Sequence, residues 1–319
     1  MPRRSAELDD VLVVTVRKSF WASPEAERFP HRIFARVFYG HSTNLLNSGA
    51  VFVQALLTIL VRRPRVILLG SVERTVPWFI RVRRLGLLGG ARLIVTNQLN
   101  LDDGQLALIE RNVVYSQAWI DGQRSVARER AVFVPLPVDG VDGDARPRDD
   151  GYVFAGGGTE RDFPTLIEAL RETGIPLRIV TFGPHTLGWD EPLPPNVRIE
   201  WAMPLAEFVD RLAGARVVAV PLGAADSDFG QTTLVQALAL GKPVVATRST
   251  SVVDYVHDGD EGLLVDAHDA VGFRDAVTQL YRDAELREAC ARRALERARL
   301  SSYAAFAQRI ADICRSIDE

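Results

Sequence analysis

The sequence has little of several things. Cysteine occurs twice in 319 residues, at Cys290 and Cys314, both within helical patterns. Two thiols do not suggest a disulfide framework, and such sparse use fits a reducing compartment. Lysine is as scarce, at Lys18 and Lys242; every other basic residue is an arginine. The formal net charge of -3 gives no overall electrostatic case for binding nucleic acid. No Cys, His and Asp fall at metal-ligand spacing, and His185 and His257 stand alone in loop patterns. The longest apolar run, Gly49 to Val61, is interrupted by Gln54 and Thr58 and is too short to span a bilayer. The opening MPRRSAELDD lacks the apolar centre of a secretory signal. A cytoplasmic protein is expected, at most peripheral to a membrane, with no metal site.

What is present is a repeated alternation of buried strands and amphipathic helices. Hydrophobic residues make up 47% of the chain and charged residues 25%, the balance of a globular protein with room for two domains. In the first part, strand patterns at Val11–Val16, 65–70, 91–96, 112–115 and 131–135 alternate with helical ones at 43–63, 76–85, 104–110 and 117–128. This βαβ rhythm predicts a parallel sheet. Pro135 to Gly151, rich in Pro, Gly and Asp, reads as the linker. The alternation then restarts with strands at 152–155, 177–182, 216–220, 244–247 and 262–265. A short helix is expected near 252–256, and three helices close the chain. The expected division is 1–138, a linker at 139–151, a second domain at 152–300, and a terminal segment at 301–319 that could pack back on the first domain.

Two loops in the second half carry the chemistry. Gly156, Gly157 and Gly158 directly follow a buried strand, and glycines there let the backbone approach a ligand closely. Arg161 follows them with a fork suited to two phosphate oxygens, although a strand–helix turn with a surface arginine spells the same letters. Gly230, Gln231, Thr232 and Thr233 open a helix between two strands, and free amides at such a start form an anion site. A well-capped core helix is the plainer alternative. Both loops fall at carboxyl ends of parallel strands, where open α/β sheets bind ligands. Together they suit a diphosphate, and Gln236, further along the second helix, could reach a ribose.

From Tyr152 to Ala276 the sequence resembles the GT-B retaining glycosyltransferases, a class dependent on nucleotide sugars. LVQALALGKPVVAT followed by SVVDYVHDGDEGLLV carries the Gly-Lys-Pro-Val turn and the Asp-Gly-x-x-Gly-Leu-Leu-Val segment of that family. The resemblance implies two Rossmann-like parallel-sheet domains facing across a cleft, the acceptor side first and the nucleotide-sugar side second. It implies transfer of a sugar from a nucleoside-diphosphate sugar, UDP-sugars first among them, to an acceptor hydroxyl, with retention and without a metal or other cofactor. The acceptor is a small molecule, a glycan or a lipid-linked group. The family's basic pair on the donor diphosphate is half present: Arg161 holds the second position and Gly157 the first. Gln236 stands where the family's helix carries the ribose-binding Glu. Counting back places the sugar contact at Asp228 or, one residue earlier, at Ser227. The family's histidine beside the transferred sugar has His41 as its nearest candidate. A nucleotide-sugar epimerase, a sugar phosphorylase and a non-enzymatic scaffold on the same fold are the alternatives.

Overall fold

The computed structural model describes residues 11–15, 45–70, 75–123, 125–138, 141 and 146–317. They form two compact units, one made of the chain up to Pro135 together with the segment from Tyr303, the other of Leu136–Ser302.

The first unit is built on five parallel strands in the order β1-β2-β3-β4-β5: Val11–Thr15, Val66–Gly70, Arg92–Thr96, Arg111–Val114 and Ala131–Phe133. Strands such as VILLG are apolar at every position because both faces of the sheet are covered. On one face, Leu12, Val14, Ile67, Leu69 and Leu93 meet helices α1 (Leu45–Arg62) and α2 (Val76–Arg84) through Val51, Ala55, Ile59, Phe79 and Ile80. Three short helices, α3 (Asp103–Leu106), α4 (Gln117–Gly122) and α5 (Ser125–Arg130), fill the connections. The expected helix over 117–128 is thus two pieces, broken at Gln123. The opposite face, Val11, Val13, Val66, Leu68 and Ile94, is covered by the last helix of the chain through Phe306, Ile310 and Cys314.

The second unit holds six parallel strands in the order β11-β10-β9-β6-β7-β8. The chain enters at β6 (Val153–Gly156) and builds outward through α6 (Phe163–Leu170), β7 (Leu177–Thr181), α7 (Pro184–Leu187) and β8 (Val197–Trp201). It then crosses back by α8 (Leu205–Ala213) to β9 (Val217–Val220) on the other side of β6. From there it continues through α9 (Gln231–Ala239), β10 (Val244–Thr247) and β11 (Gly262–Val265). Helices α10 (Ala270–Arg282) and α11 (Ala284–Ala298) close the unit before α12 (Tyr303–Ser316) joins the first one. Strand order therefore reverses between β6 and β9, and such a switch point opens a crevice at the strands' carboxyl ends. Those ends are Gly156 and Val220, where the two sequence-predicted loops begin.

Two local expectations are corrected. The short helix expected near 252–256 is a run of turns. β8 was not expected: NVRIEW alternates polar and apolar residues and pairs along one side only, with β7. Among the described residues no helix is long and apolar enough to cross a membrane.

Candidate functional site

The site is built on β6 and β9. After β6, the chain turns through Gly157 at φ 118, a backbone region that L side chains rarely adopt. A Cβ there would stand 2.8 Å from Nη2 of Arg161, so the glycine makes room for the guanidinium itself. The turn closes on the β9 loop: Arg161 bridges to Leu222, and Asp162 N donates to Pro221 O at 3.1 Å. α6 then begins at Phe163, its first turn capped by Asp162, whose carboxylate accepts from Thr165 N at 3.2 Å.

Arg161 is the centre of this arrangement. Its Nε donates to Gly156 O at 2.9 Å, Nη1 to Thr159 O at 3.2 Å and Nη2 to Thr233 Oγ1 at 3.4 Å. Thr233 is buried in the first turn of α9, and its hydroxyl donates to the same Gly156 carbonyl at 3.3 Å. Burial pushes the guanidinium down to about 10, which still leaves it charged at neutral pH. Among the described residues no carboxylate forms an ion pair with it, and three of its five N–H donors are engaged. A desolvated cation without a counter-charge favours an incoming anion.

α9 starts at Gly230, whose φ of 102 is again glycine's. A Cβ there would press on Val220 and Leu222 at 3.3 Å. Among the described residues no side chain caps this start, and Leu234 N is the first amide to bond back, to Gly230 O at 3.2 Å. The amides of Gln231, Thr232 and Thr233 thus have no partner within their own helix.

Beside Arg161 lies an open pocket of about 720 Å³. Its wall includes Gly158, Arg161, His185, Ser227, Asp228 and His268. Burial holds the Asp228 carboxyl above the ordinary carboxylate range, and the charges of Glu160 and Asp226 push the same way. Ser227 is almost fully buried, and its Oγ accepts from Phe229 N at 3.3 Å. His268, at a left-handed φ of 59, holds Asp162 Oδ2 through Nδ1 at 2.7 Å.

The structure places the expected residues unevenly. Gly158, Arg161, Ser227 and Asp228 share the pocket wall, and Thr233 is tied to it through Arg161. Gly156 and Gly157 lie beneath it: the carbonyl of the first anchors Arg161, and the amide of the second donates to Val180 O at 3.0 Å. Gly230, Gln231 and Thr232 are outside the lining. So is Gln236, 1% exposed within α9. His41 lies outside the described residues. The reading of the sequence did not place His268 or His185 on this wall. Their signal was positional, since both follow strands of this sheet at its carboxyl edge, as the two glycine loops do.

In the first unit, the polar run after β3 is partly occupied by the fold. Asp102 and Gln105 form a reciprocal cap on α3, and Asn112 ties down Gln98 by a 2.7 Å bond to its carbonyl.

Comparison with known proteins agrees with this geometry. Residues 159–283 match the family model of glycosyl transferases group 1. The D-inositol 3-phosphate glycosyltransferase of Corynebacterium urealyticum is 34% identical over 165 residues, 48% of this chain and 38% of that protein. Its counterpart in Corynebacterium diphtheriae is 32% identical over 168 residues, 52% of this chain and 34% of that protein. The chain thus spans well under half the length of either relative. Among solved structures, Anabaena Alr3699/HepE in complex with UDP and glucose superposes with a TM-score of 0.68. It is 14% identical, and the likeness covers 96% of this chain and 99% of that one. A glycosyltransferase from Rickettsia africae gives 0.67 at 12% identity, covering 97% and 98%. The class defined by two parallel Rossmann-like sheets and these likenesses is the α/β GT-B architecture. Within it, the likeness to the glycosyl transferases of group 1 is carried by residues 159–283.

Proposed function

We propose that this protein transfers a sugar from a nucleoside-diphosphate sugar to an acceptor hydroxyl. The observation that carries the reading is Arg161: a half-buried guanidinium without a carboxylate partner among the described residues, fixed between the Gly156 carbonyl and the first turn of α9. A leaving diphosphate gains charge as the glycosidic bond breaks, and a pre-placed cation beside open helix amides stabilises that charge without reorganising. Asp228 is the proposed sugar contact in preference to Ser227, whose hydroxyl is already engaged with Phe229 N. We assign a uridine diphosphate donor first because a related fold is solved with UDP and glucose. Retention of configuration and independence of metal belong to the same proposal.

The test is thermal unfolding against UDP-, GDP-, ADP- and dTDP-sugars, followed by product analysis with acceptor hydroxyls and a chelator present. A donor at a hundred times its dissociation constant adds about 2.7 kcal/mol of stability. The anomeric configuration of the product, read by NMR, decides retention. Stabilisation by a nucleotide sugar without transfer to any acceptor would leave a binding module. Release of a sugar phosphate on adding inorganic phosphate would identify a phosphorylase.

A further inference from the structure

The first unit carries a surface that donor chemistry does not use. Between Leu45 and Leu101 the sequence holds eight arginines and one acidic residue, in a chain whose formal total is -3. α1 within this stretch is apolar on two opposite sides. Val51, Ala55 and Ile59 face the core, while Val53 at 55%, Leu57 at 59%, Leu60 at 66% and Val61 at 82% are exposed. At 100° per residue the second set forms a single stripe about half a turn from the first. An ordinary surface helix is polar there.

Exposed apolar residues recur in the turn after α2, at Leu85 and Leu87. Phe52 packs edge-on against Trp78 and Phe79, with ring centroids 5.3 and 5.0 Å apart, so the two helices lie side by side. α1 runs directly into β2, and the turn after α2 runs into β3. These strands pair in parallel from Val66 and Arg92, so both helix ends meet at the sheet's amino edge. Leu85, 71% exposed, and Leu87, 60% exposed, therefore join Leu60 and Val61 at that edge. Around them stand Arg62, Arg63, Arg81 and Arg84, all exposed. Glu110, which pairs with Arg83 at 2.6 Å, is more buried and lies against β3. Arg63, Arg81 and Arg84 form no ion pair among the described residues.

We propose that this face docks on an anionic lipid bilayer, with the leucines and valines of α1 and of the turn at 85–87 entering the headgroup boundary and the arginines holding lipid phosphates. Exposed aliphatic side chains ringed by arginine are the pattern of an interfacial anchor. Charge argues against a second copy as the occupant. A symmetric contact through this face would set two strongly basic surfaces together.

The test is co-sedimentation of the whole protein with vesicles of phosphatidylcholine alone and of phosphatidylcholine containing phosphatidylglycerol, at low and high salt. Binding is expected to the anionic vesicles, to fall with salt, and to be much weaker on neutral ones. The combined change Arg63→Gln, Arg81→Gln and Arg84→Gln is expected to lower the partition coefficient about a hundredfold. Leu57→Gln with Leu60→Gln and Val61→Gln is expected to lower it more than tenfold. All six positions are exposed, and the melting temperature of each variant checks that the fold is kept. A wild-type protein that stays in solution with anionic vesicles overturns the proposal. So does binding that neither set of substitutions weakens. A wild-type dimer that the leucine set turns into monomers, without vesicle binding, makes the face an interface between copies instead.

Discussion

Arg161 holds a position that only neighbouring residues make possible, and its removal is the sharpest test of the donor site. Arg161→Ala is expected to abolish the stabilisation by nucleotide sugars in a melting experiment while changing the melting temperature of the free protein little. Unchanged stabilisation would remove the diphosphate assignment. Gly157→Ala should reproduce the binding defect by direct contact with Arg161. The new methyl group displaces the guanidinium, and the backbone strain costs about 1–3 kcal/mol, visible in chemical denaturation. Lys242 offers a different readout. It is almost fully buried, and its Nζ donates to Arg148 O at 2.6 Å and Ala215 O at 2.8 Å. Burial pushes its ammonium down to about 8 from 10.5. Between those values the unfolded chain binds more protons than the folded one, so stability must rise as pH climbs through that window. Denaturation at stepped pH should show the wild type gaining on the order of 2 kcal/mol relative to Lys242→Met from pH 8 to 10.5. A pH-independent difference between the two proteins would contradict the assignment.

At the scale of elements, α12 is a helix that serves a unit distant in sequence. Its buried side, Phe306, Ile310 and Cys314, completes one face of the first sheet. Burial pushes the Cys314 thiol up to about 12, so it acts there as an apolar filler, inert to oxidation. Ile310→Ala is expected to cost about 2–5 kcal/mol, measured as a lower denaturation midpoint. How far the sequence spoke depended on how local each signal was. β6, its glycine turn and α6 were legible because strand, turn and helical spacing follow one another within twenty residues. α9 was legible for the same reason. β8 was not, since an edge strand of mixed polarity lacks the continuous apolar run that marks the strands inside the sheet. The bond from Arg161 to Thr233 spans 72 positions and arises only when strand order places β9 beside β6. Gln236, expected at the ribose, is 1% exposed within α9 and does not line the pocket.

At the scale of the molecule, every residue lining the pocket lies within Leu136–Ser302. A fragment of that span is therefore expected to fold and to keep the nucleotide-sugar stabilisation of the full chain. Its failure to do so would place part of the donor site in the first unit. The first unit is discontinuous: its sheet is made early, and the helix that covers its second face comes after the whole of the other unit. During synthesis, the later-starting unit thus has all its parts first. Val11, Val13, Val66, Leu68 and Ile94 must wait, uncovered, for residues 303–316. The usual order of folding along a nascent chain is inverted here, and for that interval the first sheet is a natural client for a chaperone.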